Sequence, residues 1–198
     1  MRRWWKPCLV PVLLSALAAC GGRSAMGPGD GSGSDVSGSA PIQTDRASYT
    51  ARRQTMHLVD GTRYENYLEL TIGLRYTNPT DEPIYLVTCL DVNPPVLEKK
   101  EGAEWVTAFA PIVPECLGPP VVIGRGESYE YTYRIEAFLP GSRVMPQFQT
   151  EVPGTYRLVW TAYRTWLANS VEAGLGRELP LEQRVSNEFS IVEESRSG

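Results

Sequence analysis

This 198-residue chain has a single histidine, no long apolar run and no excess of positive charge, and each shortage argues against a class of function. His57 is the single histidine, so it would have to be the base of any serine-hydrolase triad, and no Gly-x-Ser-x-Gly motif accompanies it. No apolar run reaches the roughly twenty residues that a membrane-spanning helix needs. The formal net charge of −4 disfavours nucleic acid as a partner.

The N-terminus has the layout of an export signal. Arg2, Arg3 and Lys6 precede an apolar stretch of about a dozen residues, and no acidic residue occurs before Asp30. Such a stretch is too short to span a membrane and is expected to be removed. Loss of the three cations with the signal would leave a mature chain with a formal net charge of −7.

The signal ends at Leu17-Ala18-Ala19-Cys20, which resembles the lipobox of bacterial lipoproteins. The resemblance implies that the Cys20 thiol is diacylated, that the signal is cut before it, and that the new amino group is often acylated too. Two or more acyl chains anchor a protein stably because each buried methylene contributes about 0.8 kcal/mol. Gly21 stands where an aspartate would imply inner-membrane retention, so the outer membrane is favoured in a cell with two membranes. The alternative is an ordinary secretory signal with Cys20 as a spare thiol.

A polar linker follows the anchor. Residues 21–40 include seven glycines and five serines, a composition that cannot bury a core. As a flexible coil this linker would span roughly 25 Å. We therefore divide the chain into a signal peptide (1–19), a lipid-anchored linker (20–41), one folded domain (42–192) and a C-terminal tail (193–198).

Two cysteines remain for the folded domain once Cys8 leaves with the signal and Cys20 is acylated. In an exported protein, the remaining Cys89 and Cys116 should form a disulfide. Closing a loop of about 28 residues would stabilise the fold by roughly 3 to 4 kcal/mol in the chain-entropy model. A zinc site is a poor alternative, because two thiols and His57 do not complete a four-ligand shell.

Alternating hydrophobicity predicts an all-β domain. Residues 68–76 and 129–135 alternate apolar and polar side chains, which is the period of a strand with one buried face. Residues 156–163 and 189–191 follow the same pattern. Shorter strands are predicted at residues 48–52, 55–59, 84–89, 96–100, 105–109 and 121–123, and a short helix at 167–174. Frequent turn motifs rich in glycine, proline and aspartate favour a sandwich or barrel.

Several stretches resemble bacterial immunoglobulin-like domains. Residues 76–86 read YTNPTDEPIYL and look like two core strands joined by a turn, while residues 126–128 read GES and resemble the turn before a middle strand. Residues 186–191 read SNEFSI and resemble the final strand. Residues 153–158 read PGTYRL and are similar to a tyrosine corner, in which the hydroxyl of Tyr156 would bond to upstream backbone. The fold implied is an immunoglobulin-like antiparallel β-sandwich of about seven to nine strands.

The order of these motifs over residues 64–192 also resembles the bacterial intracellular proteinase inhibitor domain, itself such a sandwich. This chain departs from both patterns. Cys89 and Cys116 are not spaced like the inter-sheet pair of antibody domains, and the proteinase inhibitors do not depend on such a pair. An excursion at residues 166–184 separates the last two strands. We therefore carry over the fold, and not the inhibitory activity.

Aromatic side chains are the remaining indication of function. Trp105, Tyr163 and Trp166 are candidates for an interaction surface, because aromatic rings bind partners at little entropic cost. Trp166 is expected to be the best exposed of them because it belongs to the excursion. The alternative is that Trp160 fills the core and Trp105 covers its edge.

The sequence thus predicts a membrane-anchored, extracytoplasmic lipoprotein with a non-enzymatic module for protein interaction or envelope structure. It predicts an unidentified protein partner and no catalytic residue, metal, cofactor or nucleic acid, with His57 on the surface or on an edge strand. A second hypothesis is protease inhibition by a loop at residues 110–120, braced by the Cys89–Cys116 bridge. A hydrolase of unrecognised type is the third.

Overall fold

The computed structural model contains eleven strands and one 3₁₀ helix within the part of the chain that it describes. The described residues are 40–57, 61, 63–113, 118–166 and 176–194, with only the backbone described at 56–57 and 63–66. The strands are β1 (Ile42–Thr44), β2 (Ser48–His57), β3 (Arg63–Thr77), β4 (Ile84–Leu86), β5 (Val96–Glu101), β6 (Glu104–Phe109), β7 (Val121–Ile123), β8 (Ser128–Phe138), β9 (Gly154–Val159), β10 (Ala162–Tyr163) and β11 (Phe189–Glu193). The 3₁₀ helix is Leu181–Gln183.

The pair β3 and β8 forms the longest ladder, because strict alternation extends along both strands. The two strands are antiparallel, and their register runs from Tyr67 opposite Phe138 to Thr77 opposite Ser128 without a bulge. Alternate residues of β3 face inward and are at most 5% exposed: Leu68, Leu70, Ile72, Leu74 and Tyr76. One face of this ladder therefore lies against the core, as the period of two requires.

The strand pairings define two layers of an immunoglobulin-like sandwich. One layer has β1, β3 and β8 in the places of strands A, B and E, and the other has β11, β9 and β5 in the places of G, F and C. Strand β2 belongs to both layers, because residues 48–51 pair with β11 and residues 52–57 pair with β3. A separate sheet has the order β10-β4-β7. The all-β sandwich predicted from the sequence is confirmed. Its larger sheet is mixed and not purely antiparallel, because β2 and β11 run parallel.

A single hydrophobic cluster draws on both layers. Its largest fully buried side chain is Trp160, which is 1% exposed. The cluster also includes Ile42 of β1, Leu97 of β5 and Ile191 of β11, all fully buried. The first and last strands are thus parts of the same core, and the folded domain includes every described strand.

Some predicted strand boundaries were wrong. The separate strands expected at 48–52 and 55–59 are one strand, β2, with a register irregularity between Gln54 and Met56. The strand expected at 156–163 is interrupted at Trp160. The structure has eleven described strands, where the sequence predicted about seven to nine. Seven of them have five or more residues, and the other four are very short and account for the difference. The helix predicted at 167–174 lies outside the described residues.

Among the residues that the structure describes, no helix is long and apolar enough to cross a membrane.

Candidate functional site

The loop between β4 and β5 carries a large apolar side chain at its tip. In this segment, the Leu90 loop (residues 87–93), Leu90 is 92% exposed. The N–H of Asn93 donates to the carbonyl oxygen of Val87 at 2.9 Å and closes the loop at its base. Leu90 therefore protrudes from a short closed turn.

Further backbone pairing inside the loop fixes its tip. The N–H of Cys89 donates to the carbonyl oxygen of Asp91 at 3.0 Å. Thr88 and Val92 form an antiparallel bridge. The backbone on both sides of Leu90 is thus hydrogen-bonded, and such pairing holds the leucine in place before any partner arrives.

A second segment braces the loop from outside. The N–H of Gly118 donates to the carbonyl oxygen of Thr88 at 2.8 Å, and the Thr88 hydroxyl donates to the carbonyl oxygen of Pro119, also at 2.8 Å. The approach is so close that a Cβ at Gly118 would lie 2.6 Å from Thr88 Oγ1 and 2.9 Å from the Cys89 oxygen. Cys116 lies outside the described residues, so its pairing with Cys89 stays a prediction.

The core tryptophan holds the base of the loop. The indole Nε1 of Trp160 donates to the carbonyl oxygen of Asn93 at 2.7 Å. The Trp160 ring lies 6.0 Å from the ring of Tyr76, 6.1 Å from that of Tyr129 and 5.2 Å from that of Tyr131, measured between centroids. The Leu90 loop is therefore attached directly to the aromatic part of the core.

Asp91 adds a charge to this surface. Burial, followed by the negative charge of Asp91, raises the pKa of Tyr129 and of Tyr131 above the ordinary value of 10.0. Both phenols therefore hold their protons more tightly than a free tyrosine, and their hydroxyl groups can donate hydrogen bonds. An apolar tip, a carboxylate and two partly exposed phenols suit recognition of another protein surface.

Other exposed apolar side chains lie on the segments that follow. Ile112 is 68% exposed and Val113 is 40% exposed, and both belong to the loop predicted at residues 110–120. Val122 of β7 is 53% exposed. Sequence reasoning missed Leu90 and Val122, because a single leucine in a predicted strand and an alternating valine carry no signal of exposure.

The predicted aromatic surface is spread over different parts of the fold. Trp105 lies half-buried on β6, where the guanidinium carbon of Arg157 is 4.4 Å and the Lys100 nitrogen 5.4 Å from the ring centre. Tyr163 lies in β10, in the other sheet, and is only 9% exposed, so it offers little area to a partner. Trp166 is half-buried and directly precedes the undescribed residues 167–175.

Other predicted site residues have individual surroundings. The Tyr156 hydroxyl donates to the carbonyl oxygen of Val152, four residues upstream, which is the hydrogen bond of a tyrosine corner. His57 ends β2 and its backbone is paired with Arg63, while its side chain is not described. Cys20 lies outside the described residues. In the described part of the chain, no three potential metal ligands come together.

A shallow groove of about 450 Å³ lies on the outer face of β3 and β8. Asp45 lies beside Gly73 in this groove. Its carboxylate accepts hydrogen bonds from the Gly73 N–H at 3.1 Å and from the Tyr49 hydroxyl. Burial, then the bond to Asp45, raises the pKa of Tyr49 well above its ordinary value. The carboxylate is therefore committed to holding β1 and β2 against β3.

Comparison with known proteins leaves these surfaces without a precedent. No protein-family model matches the chain, and no curated protein matches its sequence. Among solved structures, the chain is similar to a Pseudomonas fluorescens alkylpurine DNA glycosylase, AlkC, bound to DNA containing an abasic site analog, at 8% identity and a TM-score of 0.28. The match covers 78% of this chain and 31% of the glycosylase chain. A likeness of this size carries no argument about fold or activity.

Proposed function

We propose that this protein is a membrane-anchored extracytoplasmic lipoprotein whose non-enzymatic immunoglobulin-like domain binds another protein through the Leu90 loop. One observation carries the proposal: a leucine that is 92% exposed stands on a loop whose base and flank are both hydrogen-bonded to other segments. An apolar group that is already fixed loses little conformational entropy on binding. Recognition loops on a rigid sandwich have this character.

The join between linker and domain supports the anchored arrangement. The first described strand starts at Ile42, separated by one residue from the glycine- and serine-rich residues 21–40, and Ile42 is fully buried. The described fold thus begins where the linker composition ends. A lipid on Cys20 would hold the domain near the membrane while leaving the Leu90 loop free to meet partners.

The test compares two charge substitutions in the full chain, expressed in its own envelope and recovered with cross-linked partners. Leu90→Asp should lose a bound protein that the unmodified chain retains, because an aspartate at the apolar tip cannot be desolvated without cost. Val192→Asp is the matched control. Val192 of β11 is also an exposed aliphatic side chain, 47% exposed, but it lies on another surface. Identical partners for both variants would exclude the Leu90 loop as the binding surface.

Protease inhibition is the second candidate, and the segment at residues 110–113 favours it. Ile112 is 68% exposed there. The chain is fixed before this segment, where the Gln149 N–H donates to the Ala108 oxygen at 2.8 Å, and after it, where Gly118 is bonded to Thr88. An exposed side chain between two fixed points resembles a protease-binding loop.

A protease panel at micromolar protein separates the two candidates. The inhibitory function requires at least one protease to be inhibited, and Ile112→Asp should abolish that inhibition while Leu90→Asp leaves it intact. Absence of inhibition across the panel would remove this candidate and leave the binding function untouched.

A further inference from the structure

One edge of β8 is open, and the hydrogen bonds at its ends show which residues face outward. The N–H of Asn78 donates to the Glu127 oxygen at 2.9 Å, toward β8, whereas the N–H of Thr77 donates to the Pro41 oxygen at 2.9 Å, toward β1. Backbone groups in an antiparallel ladder alternate in direction. The odd-numbered residues of β8 therefore bond to β3, and the even-numbered ones point to the opposite side.

The outward groups are used at only one end of the strand. The Phe138 N–H donates to the Pro146 oxygen and the Phe148 N–H donates to the Phe138 oxygen, each at 2.9 Å. Across the described residues, the outward backbone groups have no hydrogen-bond partner at the following four positions: Glu130, Thr132, Arg134 and Glu136.

This edge lacks most of the usual protection against pairing. Natural edge strands are blocked by proline, by charged side chains and above all lysine, by bulges or by very short length. The charges on this edge are of both signs, so only a strand with complementary charges can pair with it. β8 has eleven residues, contains no proline, glycine or lysine, and keeps an unbroken register with β3. An exposed regular edge of this kind is a template for another strand.

The exposed side chains along the edge determine which strand fits. They are acidic at Glu130, neutral at Thr132 and basic at Arg134, and all three are exposed. We propose that β8 pairs antiparallel with β8 of a second copy of this protein, with Thr132 opposite Thr132 of the second copy. In this register each Glu130 faces Arg134 of the other copy, about a two-fold axis. Within one copy Glu130 already pairs with Arg75, and Arg134 with Glu69 and Glu136, so the contacts between copies would extend these ion pairs into a network.

Three alternative registers oppose like charges, and a fourth, with Glu130 opposite Thr132, brings neither Glu130 nor Glu136 opposite a basic residue. Pairing centred on Glu130 places two glutamates opposite each other, and pairing centred on Arg134 does the same for two arginines. A shift that brings Glu130 opposite Glu136 again opposes two acids. In the register centred on Thr132, residues whose backbone groups point away from β3 lie opposite each other. About six new N–H···O bonds therefore form between residues 130 and 134 of the two copies.

The membrane would strengthen this association. Two copies held in one membrane by their linkers meet at a far higher effective concentration than two free copies. This strengthening rests on the proposed anchor, but the pairing itself does not, because it needs only the β8 edge. The Leu90 loop adjoins this strand, because Asp91 acts on Tyr129 and Tyr131 of β8. The two proposals are therefore tested with different substitutions, at Leu90 for the loop and at Thr132 for the edge.

Cysteine cross-linking tests the register directly in the full chain. Thr132→Cys should give a disulfide-linked dimer under mild oxidation, because opposed residues of a hydrogen-bonded antiparallel pair have Cα atoms about 5.5 Å apart, within disulfide range. Thr71→Cys is the matched control: Thr71 is exposed on the same face, but on β3, one strand further in. Equal dimer yields for the two variants, or no dimer from Thr132→Cys, would overturn the proposal.

A proline substitution tests the backbone pairing without relying on thiols. Thr132→Pro removes an N–H that points away from β3, so the β3 ladder and the circular-dichroism spectrum should stay unchanged while self-association weakens at least tenfold. Glu130→Arg and Arg134→Glu should each weaken it, and the double variant should restore it. A wild-type chain that stays monomeric at tens of micromolar, or a Thr132→Pro chain that still dimerises, would contradict the pairing.

Discussion

Trp160 donates the hydrogen of its indole nitrogen to the carbonyl oxygen of Asn93 at 2.7 Å. A side chain that is 1% exposed thereby holds the base of the loop on which Leu90 is 92% exposed. Among the described residues, the largest fully buried side chain and the most exposed large apolar side chain are therefore directly connected. A substitution at Trp160 should therefore change the amide hydrogen exchange of the Leu90 loop.

Trp160→Phe tests this connection. Phenylalanine keeps much of the apolar volume but removes the donor, so we expect the free energy of unfolding in urea to fall by about 2 kcal/mol. Amide hydrogens of the Leu90 loop should exchange faster, because the bond to Asn93 is gone. The control is Trp105→Phe, at a half-buried position on β6, which should cost less than about 1 kcal/mol. Equal costs, or unchanged exchange in the loop, would contradict the connection.

The core tryptophan shows what sequence patterns could establish. Trp160 was expected to fill the sandwich, and the strict alternation of β3 and β8 indicated both strands, because each depends on neighbours in sequence. The end of β4 at Leu86 was not predictable. The chain leaves the strand there because Thr88 bonds to Gly118 and Pro119, about thirty residues later, and no local pattern encodes such a contact.

The low exposure of the candidate surface residue Tyr163 has a similar origin. A tyrosine near the end of an alternating segment gives no sign of its exposure. It is covered because β10 pairs with β4 and Tyr163 forms a bridge with Glu178, in the excursion. The sequence therefore indicated which aromatic residues were candidates, but not which of them are exposed. Exposure depends on long-range strand pairing.

Two tyrosine-to-phenylalanine substitutions measure what a buried hydroxyl contributes. Tyr156→Phe removes the bond to the Val152 oxygen and should lower the unfolding free energy by about 1 to 2 kcal/mol. Tyr133→Phe is the matched control, because the Tyr133 hydroxyl is buried with no hydrogen-bond partner in the described part of the protein. Its removal should be neutral or stabilising by about 1 kcal/mol. Chemical denaturation of both variants distinguishes these outcomes, and a larger loss from Tyr133→Phe would refute the assignment.

Alkaline pH should destabilise the domain through its tyrosines. Burial is the main cause that raises the pKa of eight described tyrosines above the ordinary value of 10.0: Tyr49, Tyr67, Tyr76, Tyr129, Tyr131, Tyr133, Tyr156 and Tyr163. The unfolded chain therefore releases these protons at lower pH than the folded chain. Their contribution is fully present below about pH 10 and is lost as the pH rises further.

The measurement is the urea midpoint between pH 8 and pH 11.5. The midpoint should fall above about pH 10, and Tyr133→Phe should show a shallower fall, because one buried phenol no longer contributes. Lysine and arginine effects are common to both proteins and cancel in the comparison. A midpoint that rises with pH, or identical slopes, would show that burial does not control these groups.

Acylation at Cys20 is tested by metabolic labelling with a fatty-acid analogue. The unmodified chain should carry label and sediment with membranes, whereas Cys20→Ser should lose both properties, because the acyl chains provide the hydrophobic anchor. Cys8→Ser serves as the control and should be labelled normally. Label that persists on the Cys20→Ser chain would disprove the anchor.

Thiol titration tests the proposed bridge. In the unfolded, non-reduced mature protein, Cys89 and Cys116 should not react with a thiol reagent, and both should react after reduction. Breaking the bridge should cost roughly 3 to 4 kcal/mol of stability in the chain-entropy model. Two reactive thiols before reduction would show that the cysteines are unpaired.

The parallel pairing of β2 with β11 decides how the domain bears a pull on its linker. A load that enters near residue 40 first meets β1, a short strand held by three register pairs to β3 and by a bridge between Ile42 and Ser186. It then reaches the four pairs that join residues 48–51 to residues 190–193. Strands that run side by side in the same direction share a load along their length, so this pairing would resist extension after β1 has come away. With the proposed membrane anchor in place, a pull on the chain would thus release the few residues of β1 before it opened the sandwich.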